Sequence, residues 1–369
     1  MVEKTQKVII IGAGIIGISC AIQLKSRAYD VVLVDRNKPY NGASANNAGG
    51  IATAEILPLA SPQTIKKAIK WLFNPYAPLA IPPTYLIKIM PWLYQFYQAS
   101  KKHQMKESVS AIHSLMEISI PALQRLYSMA GIDNLIRKTG ALYLYESEGH
   151  FKNSLHDWAI RKINGINFEH LNTKLLLKLE PDLNPLISNA TYVPEWKMVT
   201  DPFDVITALF RYAKDLGVEF KQDTVRSIIG SKVHLLSNQT YSANSIILSA
   251  GAWSKKLTSP YGEIIPLEAE RGYNTTLTSP NINIQRELIF SEHGFVASPI
   301  KTGIRIGGGA EFGGLKIPPN YKRSKHMLHK AKDFLPNLNI KEGIDWMGFR
   351  PTLPDSKPVI GRSNYNPYL

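Results

Sequence analysis

The sequence predicts an α/β fold with two domains, and three observations lead to that prediction. The chain has 369 residues, which is enough for two hydrophobic cores at roughly 100–200 residues per domain. Within residues 8–35, a β-branched run, a glycine-rich turn, a helix and a second strand follow one another. Further along, the segments 267–277, 288–297 and 303–309 have the pattern of antiparallel strands.

The composition excludes several classes of protein. An apolar content of 44% excludes a disordered chain, and the single cysteine, Cys20, excludes an internal disulfide. The formal charge of +14 suits nucleic acid, an anionic membrane or an anionic ligand without choosing among them. The apolar run 8–24 is interrupted by glycines and followed by Lys25 and Arg27, so it predicts a buried strand and helix rather than a signal peptide or membrane span. The cytoplasm is therefore the expected location.

The glycine-rich turn matches the dinucleotide-binding pattern G-x-G-x-x-G. Gly12 allows the tight turn, Gly14 lets a pyrophosphate approach the backbone, and Gly17 lets the helix pack closely on the strand. The helix that begins near Ile15 offers free N–H groups and a positive dipole end to the same phosphates. Asp35 ends the second strand, where a carboxylate can bind ribose hydroxyls. The pattern predicts dinucleotide binding but does not separate FAD from NAD.

Two further segments have small residues where a flat ring or a phosphate could approach the backbone. Residues 42–50 read GASANNAGG, which suits a loop against a cofactor but also a flexible surface loop. A strand at 245–249 runs into Ala250 and Gly251 and so repeats the arrangement of the first turn. The cofactor-binding part of the chain is therefore predicted to be discontinuous.

Aromatic and basic residues alternate between residues 61 and 100. This mixture is typical of a membrane interface, and an inward-packed hydrophobic cap is the alternative. The helical spacing of apolar residues at 108–130 predicts a core-facing helix. The aromatic residues are Trp71, Phe73, Tyr76, Tyr85, Trp92, Tyr94, Phe96 and Tyr97, and the lysines are Lys66, Lys67, Lys70 and Lys88.

Together these motifs resemble the D-amino acid oxidase superfamily of FAD enzymes and, within it, the bacterial D-amino acid dehydrogenase small subunits. The resemblance runs over essentially the whole chain. It implies an FAD-binding Rossmann-like domain at 1–65, 195–262 and 335–369, and an α+β substrate domain with a mixed or antiparallel sheet at 66–194 and 263–334. The segments that carry it are the glycine turn, 44–49, AIKWLFNPYAPLA at 68–80, 201–202, SAGAWS at 249–254, 271–273 and GFRPTLPD at 348–355.

The resemblance also implies which residues hold the cofactor. Gly348 stands where related sarcosine oxidases carry a flavin-attaching cysteine, so non-covalent FAD is expected. No metal is expected, because His326 and His329 have no evident carboxylate partner. The residues predicted to contact FAD are Gly12, Gly14, Ile15, Gly17, Asp35, Arg36, Ser44, Asn47, Ala48, Gly49, Val225, Gly251 and Trp253.

The chemistry that the resemblance implies is oxidative deamination of a D-amino acid. A hydride passes from the substrate Cα to flavin N5, and the imine hydrolyses to a 2-oxo acid and ammonia. A substrate carboxylate needs a guanidinium partner, for which Arg350 is the candidate; a structural ion pair is its alternative. Tyr273 is a candidate hydroxyl donor, or else a half-buried aromatic on a strand. Arg271 could play the same part or cap the turn.

Electrons are expected to pass to a quinone-type acceptor, with peripheral contact to the inner face of the cell membrane. An oxidase of glycine, sarcosine or a similar amine, reducing O₂, is one alternative. A nucleic-acid partner is not expected, because no RNA-binding motif accompanies the positive charge. An inactive chain that holds FAD poorly is another alternative, because the family continues past the position of Leu369 into a strand and a Gly-His-rich turn that opens a helix.

Overall fold

The computed structural model describes residues 6–71 and 77–369. Within these ranges the chain forms nineteen strands, some of only two residues. The strands are β1 (Lys7–Ile11), β2 (Asp30–Asp35), β3 (Gly50–Ile51), β4 (Leu79–Ala80), β5 (Ile136–Arg137), β6 (Ala141–Tyr145), β7 (Glu169–Asn172), β8 (Asn189–Val193), β9 (Lys197–Val199), β10 (Glu219–Gln222), β11 (Val225–Ile229), β12 (Lys232–Leu235), β13 (Thr240–Ser242), β14 (Ser245–Leu248), β15 (Glu268–Leu277), β16 (Glu287–Phe290), β17 (Phe295–Ile300), β18 (Gly303–Phe312) and β19 (Ile344–Thr352).

Nine α-helices lie in the same described ranges. The helix that contains residues 202–215 shows how local sequence sets the ends. Asp201 caps it by accepting a hydrogen bond from the Phe203 amide at 2.9 Å, and Gly217 follows it with a φ of +88°. The helices are α1 (Ile15–Lys25), α2 (Pro62–Trp71), α3 (Leu86–Ala99), α4 (Lys102–Met129), α5 (Glu148–Ile163), α6 (Thr173–Leu179), α7 (Pro202–Asp215), α8 (Ser254–Thr258) and α9 (Lys322–Phe334).

A four-stranded parallel sheet forms in the order β10-β2-β1-β14. β1 and β2 consist largely of β-branched residues, and Ile10 and Leu33 are fully buried, as expected for central parallel strands. The glycine turn joins β1 to α1, so the predicted strand–turn–helix–strand unit is present. β10 and β14 come from a stretch far along the chain, so this sheet is discontinuous, as the sequence predicts.

The larger sheet is mixed and mainly antiparallel, in the order β19-β15-β18-β17-β16-β6-β8-β7, with β4 beside β18. Helix α9 packs on one face and buries Met327 and Leu328 against residues of β15 and β18. The single strand predicted at 288–297 is instead the hairpin β16–β17. Its turn includes Gly294, whose φ of +64° suits glycine.

One part of the predicted domain division does not match the strand pairing. Residues 335–369 were expected with the dinucleotide-binding domain, but within them β19 pairs with β15 from Ile344 to Thr352 and so belongs to the large sheet. Backbone hydrogen bonds between the neighbouring strands β15 and β19 decide this placement, and no sequence pattern near residue 335 predicts it. The last residues do lie against the parallel sheet, where the Tyr368 carbonyl accepts from the Ile246 amide at 2.6 Å. The other domain limits stay a prediction.

The aromatic segment packs inward on one side and is exposed on the other. In α3, Trp92 and Phe96 are buried and stack at 5.2 Å, as an inward-facing cap requires. On the opposite side of α3, Ile87 and Tyr94 are 86% and 64% exposed. Phe73 and Tyr76 lie outside the described residues.

The prediction that the apolar residues of the long helix α4 face the core is confirmed only in part. Leu126 is buried, but Ile118 is 66% exposed, so the apolar stripe is not wholly covered. Among the described residues, no helix combines the length and the apolar character needed to cross a bilayer.

Candidate active site

The three glycines of the first turn differ in what surrounds them. Gly12 has a φ of +107°, and a side chain there would overlap the Ser249 carbonyl. A side chain at Gly17 would overlap the Gly12 carbonyl oxygen, because α1 crosses very close to β1. At Gly14 an added Cβ would meet only the Ser44 hydroxyl, at 3.2 Å. The fold therefore requires glycine at positions 12 and 17, whereas Gly14 leaves space for a ligand to reach the backbone.

The start of α1 suits an anionic group. The Ile15 amide donates to the Ser44 hydroxyl at 2.9 Å, and no acidic residue occupies the first turn of the helix. Ile16, in that turn, is 63% exposed, so the positive end of the helix is not covered by the rest of the chain. This is the environment that a pyrophosphate requires.

Asp35 lies at the carboxyl end of β2 and holds the turn in place. Its Oδ2 accepts from the Ala13 amide and its Oδ1 from the Asn37 amide, both at 2.8 Å. The Asp223 amide donates to the Asp35 carbonyl, which brings Val225, at the start of β11, close to the end of β2. Each carboxylate oxygen keeps a second lone pair with which it can accept a ribose hydroxyl.

Arg36 and Trp253 meet at the same edge of the parallel sheet. The Arg36 guanidinium lies 3.8 Å from the centre of the Trp253 ring, and that ring contacts Phe349 of β19 at 5.3 Å. Gly251, in the turn before Trp253, has a φ of +55° with open space where its Cβ would be. Arg36 and the pair Gly251 and Trp253, predicted from two separate segments, are therefore brought together here.

The loop 44–49 is held by side chains from two strands of the large sheet, unlike a free surface loop. The Asn274 amide of β15 donates to the Asn46 carbonyl at 2.8 Å, and Arg305 of β18 donates to the Asn47 carbonyl at 2.6 Å. Burial lowers the pKa of Arg305. Asn47 in turn accepts from the Gly49 amide at 2.8 Å, with the half-buried Ala48 between them.

A cleft of about 130 Å³ opens between this loop, the start of α1 and α7. A cofactor entering it would touch both the helix terminus and the loop, and four of the thirteen predicted cofactor residues line it, namely Ile15, Ser44, Asn47 and Gly49. The cleft is lined by Ile15, Ser44, Asn47, Gly49, Gly50, Ile51, Tyr127, Val199, Pro202, Val205 and Ile206.

We call the side of the large sheet that carries Glu270, Asn274, Glu287, Arg305 and Arg350 the loop face, because Asn274, Glu287 and Arg305 contact the loop 44–50. Arg350 on β19 stands opposite Glu270 on β15, and the two form an ion pair. Arg350 also donates to the Gly309 carbonyl at 3.0 Å, and its side chain is 49% exposed.

Tyr273 and Arg271 lie on the opposite face of the same strand, because side chains alternate along β15. Tyr273 is 1% exposed, and its hydroxyl donates to Glu311 and accepts from the Asn320 amide. Burial raises the pKa of Tyr273 to about 12. The prediction that its hydroxyl binds substrate beside Arg350 therefore does not fit this structure. Arg271 is fully buried and donates to the Gly314 carbonyl, which matches the turn-capping alternative.

Glu287 is a buried acid directly beneath the loop. Its carboxylate accepts hydrogen bonds from Trp196 at 2.8 Å and Ser298 at 2.9 Å, and it fills the space in front of Gly50. Burial raises the pKa of Glu287 to about 7. A bulkier residue at position 50 would collide with this acid.

Glu270, Asn274, Glu287 and Arg305 were missed by the sequence reasoning. The strand period places Glu270, Gly272 and Asn274 on one face of β15, so the alternation alone could have grouped them. It could not have told which face meets the loop, because that depends on strand pairing between distant segments.

The comparisons with known proteins agree with this geometry. The family described as FAD dependent oxidoreductase, DAO, matches residues 7–369. A D-amino-acid oxidase of Bradyrhizobium diazoefficiens is 31% identical over 370 residues, covering 96% of this chain and 87% of the relative. A D-amino acid dehydrogenase of Rhizobium johnstonii is 28% identical, covering 96% and 88%.

Solved structures share the fold. Glycine oxidase from Geobacillus kaustophilus aligns with a TM-score of 0.72 at 20% identity, covering 98% of this chain and 87% of the other. L-proline dehydrogenase from P. horikoshii aligns with a TM-score of 0.70 at 18% identity, covering 99% and 87%. The fold and the site thus define a dinucleotide-binding flavoenzyme. The chain belongs to the DAO family of FAD-dependent oxidoreductases, as the sequence predicts, and FAD is its cofactor.

Proposed function

We propose that this enzyme oxidises a D-amino acid to the 2-oxo acid and ammonia, with FAD bound non-covalently and a quinone-type electron acceptor. Two relatives across nearly the whole chain are named D-amino-acid oxidase and D-amino acid dehydrogenase, which supports the substrate class. The only cysteine, Cys20, packs in α1 against the core, which supports a non-covalent cofactor.

The observation that carries the proposal is the half-exposed guanidinium of Arg350 on the loop face. Among the described residues its hydrogen bonds go through Nη1 alone, to Glu270 and Gly309, so Nε and Nη2 keep donors for a substrate carboxylate. Glu270, 4% exposed, lies beside it and is bonded to both Arg350 and Thr352, so it orients the guanidinium.

Bound FAD supplies the hydride acceptor for this reaction. The chain's own residues position the reactants around it. The loop 44–49, held by Asn274 and Arg305, presents small residues to the cofactor, and Arg350 fixes the carboxylate end of the substrate. Helix α3 covers the neighbouring part of the sheet, where the Trp92 indole donates to the Thr352 carbonyl at 3.3 Å.

The substrate is tested by anaerobic reduction of the enzyme-bound flavin with single amino acids. We expect the 450-nm region to bleach with D-alanine or another D-amino acid, and not with the L-enantiomer, glycine or sarcosine. Bleaching by glycine or sarcosine alone would overturn the substrate proposal.

The acceptor is tested separately with the same substrate. We expect fast turnover with a soluble quinone analogue and slow oxygen consumption in an oxygen electrode. Oxygen consumption that matches quinone turnover would make the chain an oxidase, which the similarity to a D-amino-acid oxidase also allows.

We further propose that the exposed face of α3 rests on an anionic membrane. Ile87, Met90, Tyr94 and Tyr97 recur at helical spacing and are all more than half exposed. The charge of +14, with exposed Lys88 on the same helix, favours an anionic surface over a neutral partner.

Cosedimentation with vesicles of neutral and anionic phospholipid tests this contact. Replacing Ile87, Met90 and Tyr94 by serine should release the protein from anionic vesicles without changing dye-linked turnover. The control replaces Ile163 and Leu186, 84% and 82% exposed elsewhere on the surface, by serine. Equal binding by all three proteins would contradict the proposal.

A further inference from the structure

A cluster of carboxylates and imidazoles lies at the rim of the large sheet, outside the site described above. Glu146 directly follows β6, and Glu292 and His293 form the turn of the β16–β17 hairpin. Because β16 and β6 are parallel neighbours, their carboxyl ends meet, which brings these three residues together. One potential ligand atom from each lies within 4.8 Å of the others.

The distances within the cluster suit a small cation. Nε2 of His293 lies 3.0 Å from an oxygen of Glu146, close to the spacing of neighbouring ligand atoms around a tetrahedral ion with bonds of about 2.0 Å. Nδ1 of His150, in the first turn of α5, lies 2.5 Å from an oxygen of Glu292. Glu146, Glu292 and His293 therefore converge from two separate elements, and His150 reaches this group through its contact with Glu292.

Glu292 is the least satisfied member of the cluster. Both of its carboxylate oxygens are closed to solvent, and the one ion pair that it forms among the described residues is with His150, at 2.5 Å from Oε2. Oε1 is left without a hydrogen bond, which is costly for a buried carboxylate unless a cation reaches it.

Among the described residues, acidic side chains outnumber ammonium groups around the cluster. The carboxylates are Glu146, Glu292 and Asp333, whereas the nearby ammonium groups are those of Lys330 and Lys67. The Lys330 ammonium lies 3.2 Å from carboxylate oxygens of both Glu146 and Asp333, so a single ammonium group pairs with two carboxylates.

We propose that Glu146, Glu292 and His293, with His150 as a fourth ligand, bind one divalent transition-metal ion of the Zn²⁺ class. Mixed imidazole and carboxylate donors suit such ions, and the bound ion joins the hairpin turn to the start of α5. The sequence-based expectation of no metal rested on His326 and His329, which are not part of this cluster. The site is structural, and it stabilises the rim of the large sheet without taking part in the redox reaction.

The test uses the untagged full-length flavoprotein, stripped with EDTA and dialysed against Zn²⁺. We expect one Zn²⁺ per chain and a rise in the melting temperature on adding the metal. His293→Gln and Glu146→Gln should each weaken Zn²⁺ binding by at least about tenfold and abolish that rise. In EDTA both variants should melt close to the parent, since Glu146 is 45% exposed and tolerates substitution.

A matched control separates this site from casual binding by surface histidines. His103 lies 3.7 Å from Glu107 on the exposed side of α4, and this is the one carboxylate with which it pairs in the described part of the chain. His103→Gln should leave Zn²⁺ affinity unchanged. The proposal is overturned if the parent holds no Zn²⁺, or if His103→Gln weakens binding as much as His293→Gln does.

Discussion

The two regions that meet at the site are built in different ways. At the carboxyl edge of the parallel sheet, most of the surface is backbone, and glycines occupy the positions where a carbonyl or a cofactor comes close. Asp35 fixes the glycine turn there by accepting a hydrogen bond from the Ala13 amide. The loop face is made of side chains from β15, β18 and β19, paired through charges such as Glu270 with Arg350.

Because of this difference, the two regions tolerate different substitutions. A backbone site depends on space, so an added methyl group is enough to destroy it. A side-chain site depends on charge and on orientation, so it loses affinity in steps as single partners are removed. The substitutions below are ordered by the size of the expected effect and test that distinction.

The largest effect is expected at the glycine turn, where two glycines should fail in different ways. Gly17→Val should prevent folding, because the side chain would overlap the Gly12 carbonyl and drive α1 from β1 at a cost of ~3 kcal/mol or more. Gly14→Val meets only the Ser44 hydroxyl at 3.2 Å, so the chain should fold and lose its flavin.

Soluble yield, circular dichroism and flavin content after desalting distinguish these two outcomes. Full flavin retention by a folded Gly14→Val protein would contradict the assignment of the turn to the pyrophosphate.

Arg350→Ala should lower kcat/KM by about 10–150-fold, because a charge-assisted pair to a carboxylate is worth roughly 1.5–3 kcal/mol. Flavin content should not change, since the cofactor contacts lie at the other region. Arg350→Lys should recover part of the loss, because it keeps the charge without the planar fork. If kcat/KM is unchanged in Arg350→Ala, Arg350 does not bind substrate and serves only in the ion pair with Glu270.

Gly272→Ala tests the orientation of Arg350 without removing it. A Cβ at this position would lie 2.6 Å from Nη2 of Arg350, so the guanidinium must move off the strand. We expect a loss of about tenfold in kcat/KM, or ~1.4 kcal/mol, with flavin content unchanged. Gly149→Ala is the matched control, because its nearest neighbour would be the Ser147 hydroxyl at 3.9 Å.

Glu287→Gln should have the smallest effect and should change only the pH dependence of stability. Burial raises the pKa of Glu287 from 4.5 to about 7, so the folded state keeps a proton that the unfolded state releases. Its contribution to the free energy of unfolding therefore falls as pH rises from 4.5 to 7 and stays low above that range. Glutamine removes this fall and can still bond to Trp196 and Ser298.

Urea unfolding at pH 5, 6, 7 and 8 measures the change. Glu287→Gln should lose less stability between pH 5 and pH 7 than the parent does. The slope should not vanish, because burial also raises the pKa values of Glu180 and Glu292 to about 7. Glu169→Gln, at an exposed position of β7, should follow the parent; if Glu287→Gln also does, Glu287 is not the titrating group.

The predictability of the site follows the same division between backbone and side chains. The turn at Gly12 and the helix after it lie within a few residues of each other, so their chemistry could be predicted from spacing. Arg350 was predicted from a resemblance, and the structure places it on the loop face. Tyr273 was placed wrongly, because its neighbour in sequence, Gly272, lies in the site while Tyr273 points to the opposite face.

The sequence by itself determined the dinucleotide-binding unit, the family and the cofactor. These depend on local backbone geometry, which glycines and β-branched residues specify over short stretches. Only the tertiary structure decided that β19 joins the large sheet, that Glu270 pairs with Arg350, and that Glu146 meets Glu292 and His293. Each of these contacts joins segments 68 or more residues apart, where strand register rather than local sequence sets which side chains share a face.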